Sequence, residues 1–544
     1  MDEQEYRVAF DIEAPAIGTS PEIAIGINIG TSQCTVAVWN GSQVEILRNN
    51  PPANVYEMFS IFNMKRLIGR HDMDPAVHAG INLPFPVQNL KIGARLLFAA
   101  LVNKMWKFIN VEEGLEILIG ELKVMAETQL QHSIEKVVLI VPVSFNRLQL
   151  RIMTKACHAL GLSVLSLIPE PTAVAMLYAQ QQKQKQKQKQ NVHENMGSGS
   201  EKIALIFNMG AGFCDVAVVT VTGGVCRTRG LAGGTLGGED ILQNTMRHLL
   251  PDMNRYFSRH SINEIRKMRT STQDAIHKLS IETSAEIDVN FENGSKIFKV
   301  LDRKEFEEVN QNVFEKCVSL INQCLHDAEI EADKVDDVIL VGGCSNIPKI
   351  QKMVIDIFRK ELYLGMNPLE AAVCGAALEG AVTSGVQNNS GILDLSWTKK
   401  TPMSFGIRAD GNNFIPIMPK NTELPASEDL LFTTLHDNQT EALIFVYEGN
   451  ETSVEKSHLL GYFKYKGIPQ APKGDQVIKV CITNFGLYHL QVITARVICN
   501  DKLTVPTVER MPNVDERGGL LAESLYRNYG STLDLATVRK TEQH

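Results

Sequence analysis

Two short glycine-rich segments, 180 positions apart, carry the same pattern. Asn28-Ile29-Gly30-Thr31-Ser32-Gln33-Cys34-Thr35-Val36-Ala37-Val38 aligns without a gap on Asn208-Met209-Gly210-Ala211-Gly212-Phe213-Cys214-Asp215-Val216-Ala217-Val218, with six of eleven positions identical. Each copy follows a short apolar run, Ile23–Ile27 or Ile203–Phe207, so each predicts strand, tight turn, strand. Glycine allows positive φ and close approach, and such a turn presents backbone N–H groups to an anion. A pair of them predicts two related lobes gripping one polyphosphate between Gly30, Thr31 and Ser32 on one side and Gly210, Ala211 and Gly212 on the other. Asn28 and Asn208 run against that chemistry, because a magnesium–nucleotide site normally wants carboxylates there.

Three further glycine clusters fall in an order that a nucleotide cleft would use. Gly237-Gly238-Glu239-Asp240 opens a helix from Ile241, so free N–H groups and the helix dipole are expected to face an anion. Gly342-Gly343 follows the strand Val338–Val341 and precedes Pro348, a suitable first residue for the next helix. Gly375-Ala376-Ala377, inside a helical stretch, suits close packing. Any one of these reads equally well as a turn or a packing glycine; their joint order carries the argument.

The elements that must position these residues alternate. Strands run from Ile23 to Leu47, helical periodicity covers Ile92–Ile109 and Val111–Gln131, and a buried strand follows at Lys136–Val141. A helix Asn146–Leu160, a strand Val164–Ile168 and the turn Pro169–Thr172 complete an α/β pattern. The tract Gln180–Gln190 alternates lysine and glutamine and runs into a polar Gly-Ser segment. Residues 180–201 therefore predict a flexible surface insertion, with a basic nuclear-import or acidic-partner patch as its rival. After the second hairpin come a helical middle Leu242–Leu279, short strands Glu286–Phe291 and Lys296–Leu301, a long helix Arg303–Glu331 and the strand Asp337–Val341. From Thr401 to Thr507 the chain shows only short strand-like runs with turn signals, which predicts an all-β sandwich. The domains predicted are a disordered leader 1–22, a nucleotide domain 23–389, a linker 390–400, a sandwich 401–507 and a tail 508–544 with at most one or two short helices.

A chain of 544 residues has ample length for such domains, and its net charge of −8 disfavours a dedicated nucleic-acid binder. The longest apolar runs, such as Val137–Val143, are strand-length, so no membrane association is expected. Ten cysteines without a C-x-x-C pair fit reduced core thiols, with Cys317 and Cys324 sharing the buried face of one helix. A cytoplasmic location, or a nuclear one through the basic tract, is the expectation.

The chain resembles the 70-kDa heat-shock chaperone family. The resemblance rests on Ile25–Ser32, Phe62–Arg70, Val141–Phe145, Glu170–Ala173, Leu236–Asp240 and Val341–Gly343, and in the sandwich on Asp437–Gln439, Val446–Gly449, Leu459–Phe463 and Gly467–Pro472. It implies a two-lobed actin-like, ribonuclease-H-like nucleotide domain that binds ATP or ADP with Mg2+, followed by a β-sandwich that binds unfolded or extended peptides. J-domain and nucleotide-exchange co-chaperones are the implied partners. The family's long helical lid has no counterpart, since the chain ends soon after Thr507.

Residue by residue, the implied catalytic machinery thins. The family's two magnesium-organising aspartates fall on Asn28 and Asn208, which keep a carbonyl acceptor and lose the charge. A threonine near the terminal phosphate falls on Phe213. The catalytic lysine is expected in the interval Arg48–Asn63, which is short and holds none. Glu170, which orients the attacking water, is retained. The adenosine clamp falls on Gln273, Ile276 and His277, with Ser280 preserved; His277 either stacks on adenine or is simply solvated. Beyond Gly342-Gly343 the family's serine, arginine and later aspartate become Cys344, Asn346 and Leu369. No metal ligand is assigned. In the sandwich, Phe414, Ala442 and Leu443 fall near the family's peptide pocket, with Phe445 on the same strand; each reads equally well as a core residue. The expectation is a chaperone-like protein that binds ATP and hydrolyses it weakly or not at all, with a nucleotide-insensitive scaffold or co-chaperone as the alternative. A sugar kinase of the same superfamily is disfavoured by the all-β C-terminal part.

Overall fold

The structure is a computed structural model and describes residues 5–9, 23–48, 64–70, 87–88, 96–102, 105–190, 201–251, 262–291, 294–386, 393–485, 490–497, 508–510 and 535–537. The chain divides into two compact units: residues 15–145 with 149–397, and residues 398–544 with 1–14 and 146–148.

The larger unit contains two five-stranded sheets of the same plan. In one, Ala24–Ile29 pairs antiparallel with Cys34–Trp39 and parallel with Lys136–Val141, which in turn pairs parallel with Ser163–Pro169. In the other, Lys202–Met209 pairs antiparallel with Cys214–Thr222 and parallel with Asp337–Val341. The central strands are apolar at nearly every position because both faces of each mixed sheet are buried. The register is also repeated: Asn28 stands opposite Thr35, and Asn208 stands opposite Asp215.

Small residues allow the helices to approach closely. A methyl on Gly375, in the helix Ala371–Thr383, would lie 1.7 Å from the Ala173 carbonyl oxygen of the helix Glu170–Gln190. A methyl on Gly26 would lie 2.7 Å from the Ala377 nitrogen. Gly375 is thus a packing glycine, as its setting in the sequence predicts.

Several expectations are corrected. Residues 97–110 are not helical: Leu97–Val102 and Met105–Asn110 form a hairpin, in keeping with the strand preference of Trp106, Phe108 and Ile109. The lysine–glutamine tract is not a flexible insertion as far as Gln190, because the helix begun at Glu170 runs through it. Lysine and glutamine are good helix formers, so an anchored first half suffices to propagate it. Residues 191–200 lie outside the described residues. The long helix after Arg303 is interrupted at Asn310, between Arg303–Val309 and Gln311–Ala328.

The smaller unit is a sandwich of two antiparallel sheets. One orders Asn413–Met418, Ser404–Ala409, Glu441–Gly449, His458–Lys466 and Val508–Arg510. The other orders Glu5–Ala9, Leu490–Val497, Val477–Asn484, Ala426–Thr434 and Leu535–Thr537. Phe405, Ile407 and Ile444 from the first meet Phe432, Ile478 and Val480 from the second in one buried core. Part of the supposed leader is therefore a strand at Glu5–Ala9, and the described parts of the tail are strands where short helices were expected. Among the described residues no helix is long and apolar enough to cross a membrane.

Candidate functional site

The two glycine turns meet. A methyl on Gly212 would lie 2.2 Å from Thr31 Oγ1, so the second turn needs glycine to pass the first. Gly30 is constrained in the same way, since a methyl there would lie 2.1 Å from the Gln33 carbonyl oxygen. The second turn closes on itself through Gly210 N–H donating to the Phe213 oxygen at 3.0 Å.

Behind the turns lies a buried charge cluster. Lys65 Nζ is 2.5 Å from Glu170 Oε1, and the lysine side chain is 1 % exposed. The Asn208 amide donates to the other Glu170 oxygen. The lysine expected within Arg48–Asn63 is thus replaced by Lys65, just beyond that interval, which places an ammonium at Glu170. Asp215 is completely buried beside this pair, and no side chain donates a hydrogen bond to its carboxylate. Burial pushes its pKa well above the usual carboxylate range, and the charge of Glu170 adds to the effect; the Val143 amide and Lys65 offset part of it. Gly233 makes room for it, since a methyl there would lie 2.2 Å from Asp215 Oδ1. Asn28 Oδ1 is also buried without a partner. Phe213 packs edge-on against Phe145 with centroids 5.6 Å apart, and Lys65 Nζ stands 5.8 Å from its ring centre.

Arg66 ties the neighbouring elements together. Its Nε donates to the Gly212 oxygen at 2.9 Å and its Nη2 pairs with Asp240. This changes the reading of the helix Gly238–Leu249. Gly238 N–H donates to the Gly210 oxygen at 3.1 Å and Glu239 N–H to the Ala211 oxygen at 2.8 Å, while Gly237 N–H is held by Asp240 Oδ2 at 2.8 Å. These amides serve the second hairpin and are not free for an anion. Glu239 is likewise committed: both of its oxygens receive Arg269 nitrogens at 2.7 Å, and Gln243 adds a third bond.

Gly342 takes φ 84° and donates its N–H to the Pro368 oxygen at 2.9 Å; a methyl there would lie 2.9 Å from Asn208 Oδ1. Beyond Gly343, Cys344 Sγ donates to the Gly210 oxygen at 3.4 Å, and burial pushes its thiol up to about 12. Leu369 is 54 % exposed and approaches Gly343. His277 is solvent-exposed, and the Ser280 hydroxyl donates back to the Ile276 carbonyl at 3.3 Å.

Phe414, Ala442 and Leu443 do not line one pocket. Ala442 faces the sandwich interior, whereas Phe414 and Leu443 belong to a separate cluster with Phe445, Tyr447, Val454 and Tyr462. Strand alternation separates Ala442 from Leu443 by face. Both clusters are closed: Phe414 is 4 % exposed and Leu443 6 %.

Lys65 and Asp215 are the residues that sequence reasoning missed. Lys65 lies in the stretch Phe62–Arg70, just beyond the interval Arg48–Asn63, and Asp215 sits in the repeat itself, directly across from Asn208.

The family model described as Hsp70 protein matches residues 53–516. The chain is 50% identical to heat shock 70 kDa protein 8 of Arabidopsis thaliana, with 99% of this chain and all of that protein aligned. It is 31% identical to a ribosome-associated molecular chaperone of Eremothecium gossypii, over 84% of this chain and 77% of that one. Identity is again 31% to a heat shock 70 kDa protein of Neurospora crassa, over 84% and 73%.

Proposed function

Because the chain belongs to the Hsp70 family, we propose that it is a chaperone-like protein whose two-lobed nucleotide unit binds ATP or ADP and turns it over slowly or not at all. Extended or unfolded peptide segments are the proposed ligands of the sandwich. J-domain and exchange-factor partners and a cytoplasmic setting follow from the same family reading.

The observation that carries the slow-turnover reading is the engagement of Glu170. Lys65 and Asn208 each donate to one of its oxygens, so half of its accepting capacity is already spent inside the protein. Asn28, Asn208 and Phe213 add two lost charges and a lost hydroxyl. A lost second-shell partner lowers activity about 10–100-fold, and a lost transition-state donor about 10²–10³-fold. The losses are not additive, but together they leave little turnover even with Lys65 present. The buried acceptors that no side chain satisfies, Asn28 Oδ1 and the Asp215 carboxylate, suit a hydrated Mg2+ carried in with the nucleotide. Bound there, the cation would neutralise phosphate charge; Asp215 and Asn28 would hold its water shell.

Isothermal titration with Mg-ATP, paired with a single-turnover assay, tests this reading. Binding with turnover far below that of an active Hsp70 supports it, and ordinary chaperone rates overturn it. A second reading, a nucleotide-insensitive scaffold or co-chaperone, draws on the closure of the two turns upon each other and the internal use of the Gly238 and Glu239 amides. Absence of any heat of ATP binding selects that reading.

A further inference from the structure

The second sheet of the sandwich ends on a strand that comes from a distant part of the chain. Beside Leu490–Val497 the terminal position is taken by Glu5–Ala9. Five residues pair antiparallel in unbroken register, from Glu5 opposite Ala495 to Ala9 opposite Gln491. On its other side Leu490–Val497 pairs with Val477–Asn484 along its whole length. No hairpin joins Glu5–Ala9 to its neighbour, so the pairing rests on the match between the two segments and not on a turn.

That match follows the alternation of the sheet. Tyr6 stands opposite Thr494, which stands opposite Val480; Val8 stands opposite Val492, which stands opposite Ile482. Val480 and Ile482 are buried in the sandwich core. Glu5 and Arg7 fall in the intervening rows, which lead through Ala495 and Ile493 to the half-buried Lys479 and Cys481. Tyr6 and Val8 thus occupy core rows, and the two charges occupy the others. A slip of one residue would reverse this assignment. Without the strand, Leu490–Val497 would offer an eight-residue edge that holds Val492, Ile493, Thr494 and Val497, no proline, and Arg496 as its one charge. Such an edge is a template for an added extended chain.

We propose that the edge of Leu490–Val497 is an acceptor site for an extended polypeptide segment, and that Glu5–Ala9 is its resident competitor. The resident strand defines the ligand class: an extended segment with apolar residues at alternate positions and polar or charged ones between them, held by main-chain hydrogen bonds. A short edge strand without a hairpin belongs to the readily opened end of a fold, and its tether holds it at an effective concentration on the order of mM. A free segment binds when the edge is vacant, so its apparent affinity is lowered by the fraction of time the resident strand is in place. Phe414, Ala442 and Leu443 lie on strands of the other sheet, so this is a second site. It adds to the peptide reading of the sandwich, on which it rests only for the class of ligand, and it holds whether or not ATP binds.

A labelled synthetic peptide with the sequence of residues 2–12, titrated into the full-length chain and followed by fluorescence anisotropy, tests it. In Arg7→Pro/Val8→Pro one of the two prolines must remove a ladder donor, because successive N–H groups point to opposite sides of a strand. With the vacant edge populated about 1–10 % of the time in the parent chain, the variant is expected to bind the probe about 10–100-fold more tightly. A probe carrying Tyr6→Asp and Val8→Asp should lose that gain, since it takes charge into the core rows. Hydrogen exchange decides the case without any substitution, should the double variant fail to fold. Excess probe added to the parent chain is expected to speed exchange of residues 5–9 at least about fivefold while Leu490–Val497 stays protected. Equal probe affinity for the parent and a folded variant, or exchange at 5–9 unmoved by excess probe, would overturn the acceptor edge. A variant that dimerises in light scattering without binding the probe would also overturn it, because the edge then takes a second copy. An unrelated extended peptide without the alternation separates the two readings. If it binds while the probe binds neither chain, only the edge falls; if the probe binds and it does not, the edge stands and the broader peptide reading falls.

Discussion

At Lys65 one buried ammonium serves two carboxylates. It contacts Glu170 directly and lowers the cost of keeping Asp215 buried. Removing it as Lys65→Met would leave Glu170 and Asp215 facing each other with only the Asn208 amide between them. Breaking a buried pair by deleting one partner typically costs about 3–5 kcal/mol, so this variant is expected to lower the unfolding free energy of the larger unit, read from urea denaturation, by an amount of that order. A loss under about 1 kcal/mol would mean that the carboxylates take up protons and need no counterion. In the sandwich, Glu448 gives the complementary pH prediction. Burial pushes it up to about 7, from an ordinary 4.5. A carboxyl raised in the folded state binds more protons there than in the unfolded chain between those values, so folding stability falls as pH rises from about 4.5 to 7. The loss is at most about 3 kcal/mol. Thermal unfolding across that window should show the slope, and Glu448→Gln should flatten it. The residue scale also shows where the sequence stops being legible. Asn28, Asn208 and Phe213 could be read from their place in the repeat, because the turn fixes their position. Lys65 lies 105 positions from its partner Glu170, and no local pattern links the two. Glu239 stands at an expected anion site, but Arg269, thirty positions on, occupies both of its oxygens.

Elements were legible where burial enforced a period. The strands Ala24–Ile29, Lys136–Val141 and Asp337–Val341 and the helix Val111–Leu130 fall where apolar spacing predicts them. Misreadings fall where pattern and propensity conflict. Leu97–Val102 and Met105–Asn110 have apolar residues at spacings that suit a helix, but aromatic and β-branched side chains tip them to a hairpin. The lysine–glutamine tract has no apolar face at all, and its helix continues from the buried Glu170–Gln180 half. That half depends on one contact that the sequence did reveal. Gly375 lets the helix Ala371–Thr383 touch the backbone at Ala173, and Gly375→Ala would force the two helices apart. Overpacking of this kind costs typically about 1–3 kcal/mol; because the obstacle is backbone, the upper end is expected, read as a lowered thermal midpoint. Alanine raises helix propensity by about 1 kcal/mol over glycine, so a net gain in stability would show that the helices have room to separate.

Over the whole molecule, the two units have separate cores. Leu205, Phe207 and Ile321 belong to one cluster of the larger unit, and Ala173, Ile206 and Ala376 to another; the sandwich closes around Phe405, Phe432 and Ile478. Separate cores of this size predict two unfolding transitions in calorimetry rather than one. A ligand stabilises only the unit it binds, by RT ln(1 + [L]/Kd), which is about 2.7 kcal/mol at a hundredfold excess over Kd. Mg-ATP at that excess is therefore expected to raise the transition assigned to the larger unit by a few degrees and to leave the sandwich transition where it was. An extended peptide should do the reverse. The assignment can be made independently, because Lys65→Met should lower only the nucleotide-sensitive transition. If Mg-ATP moves both transitions, the units share binding energy and the nucleotide site communicates with the sandwich despite its depleted charge. If it moves neither, the two glycine turns are a packing motif, and the nucleotide-insensitive scaffold is the function that remains.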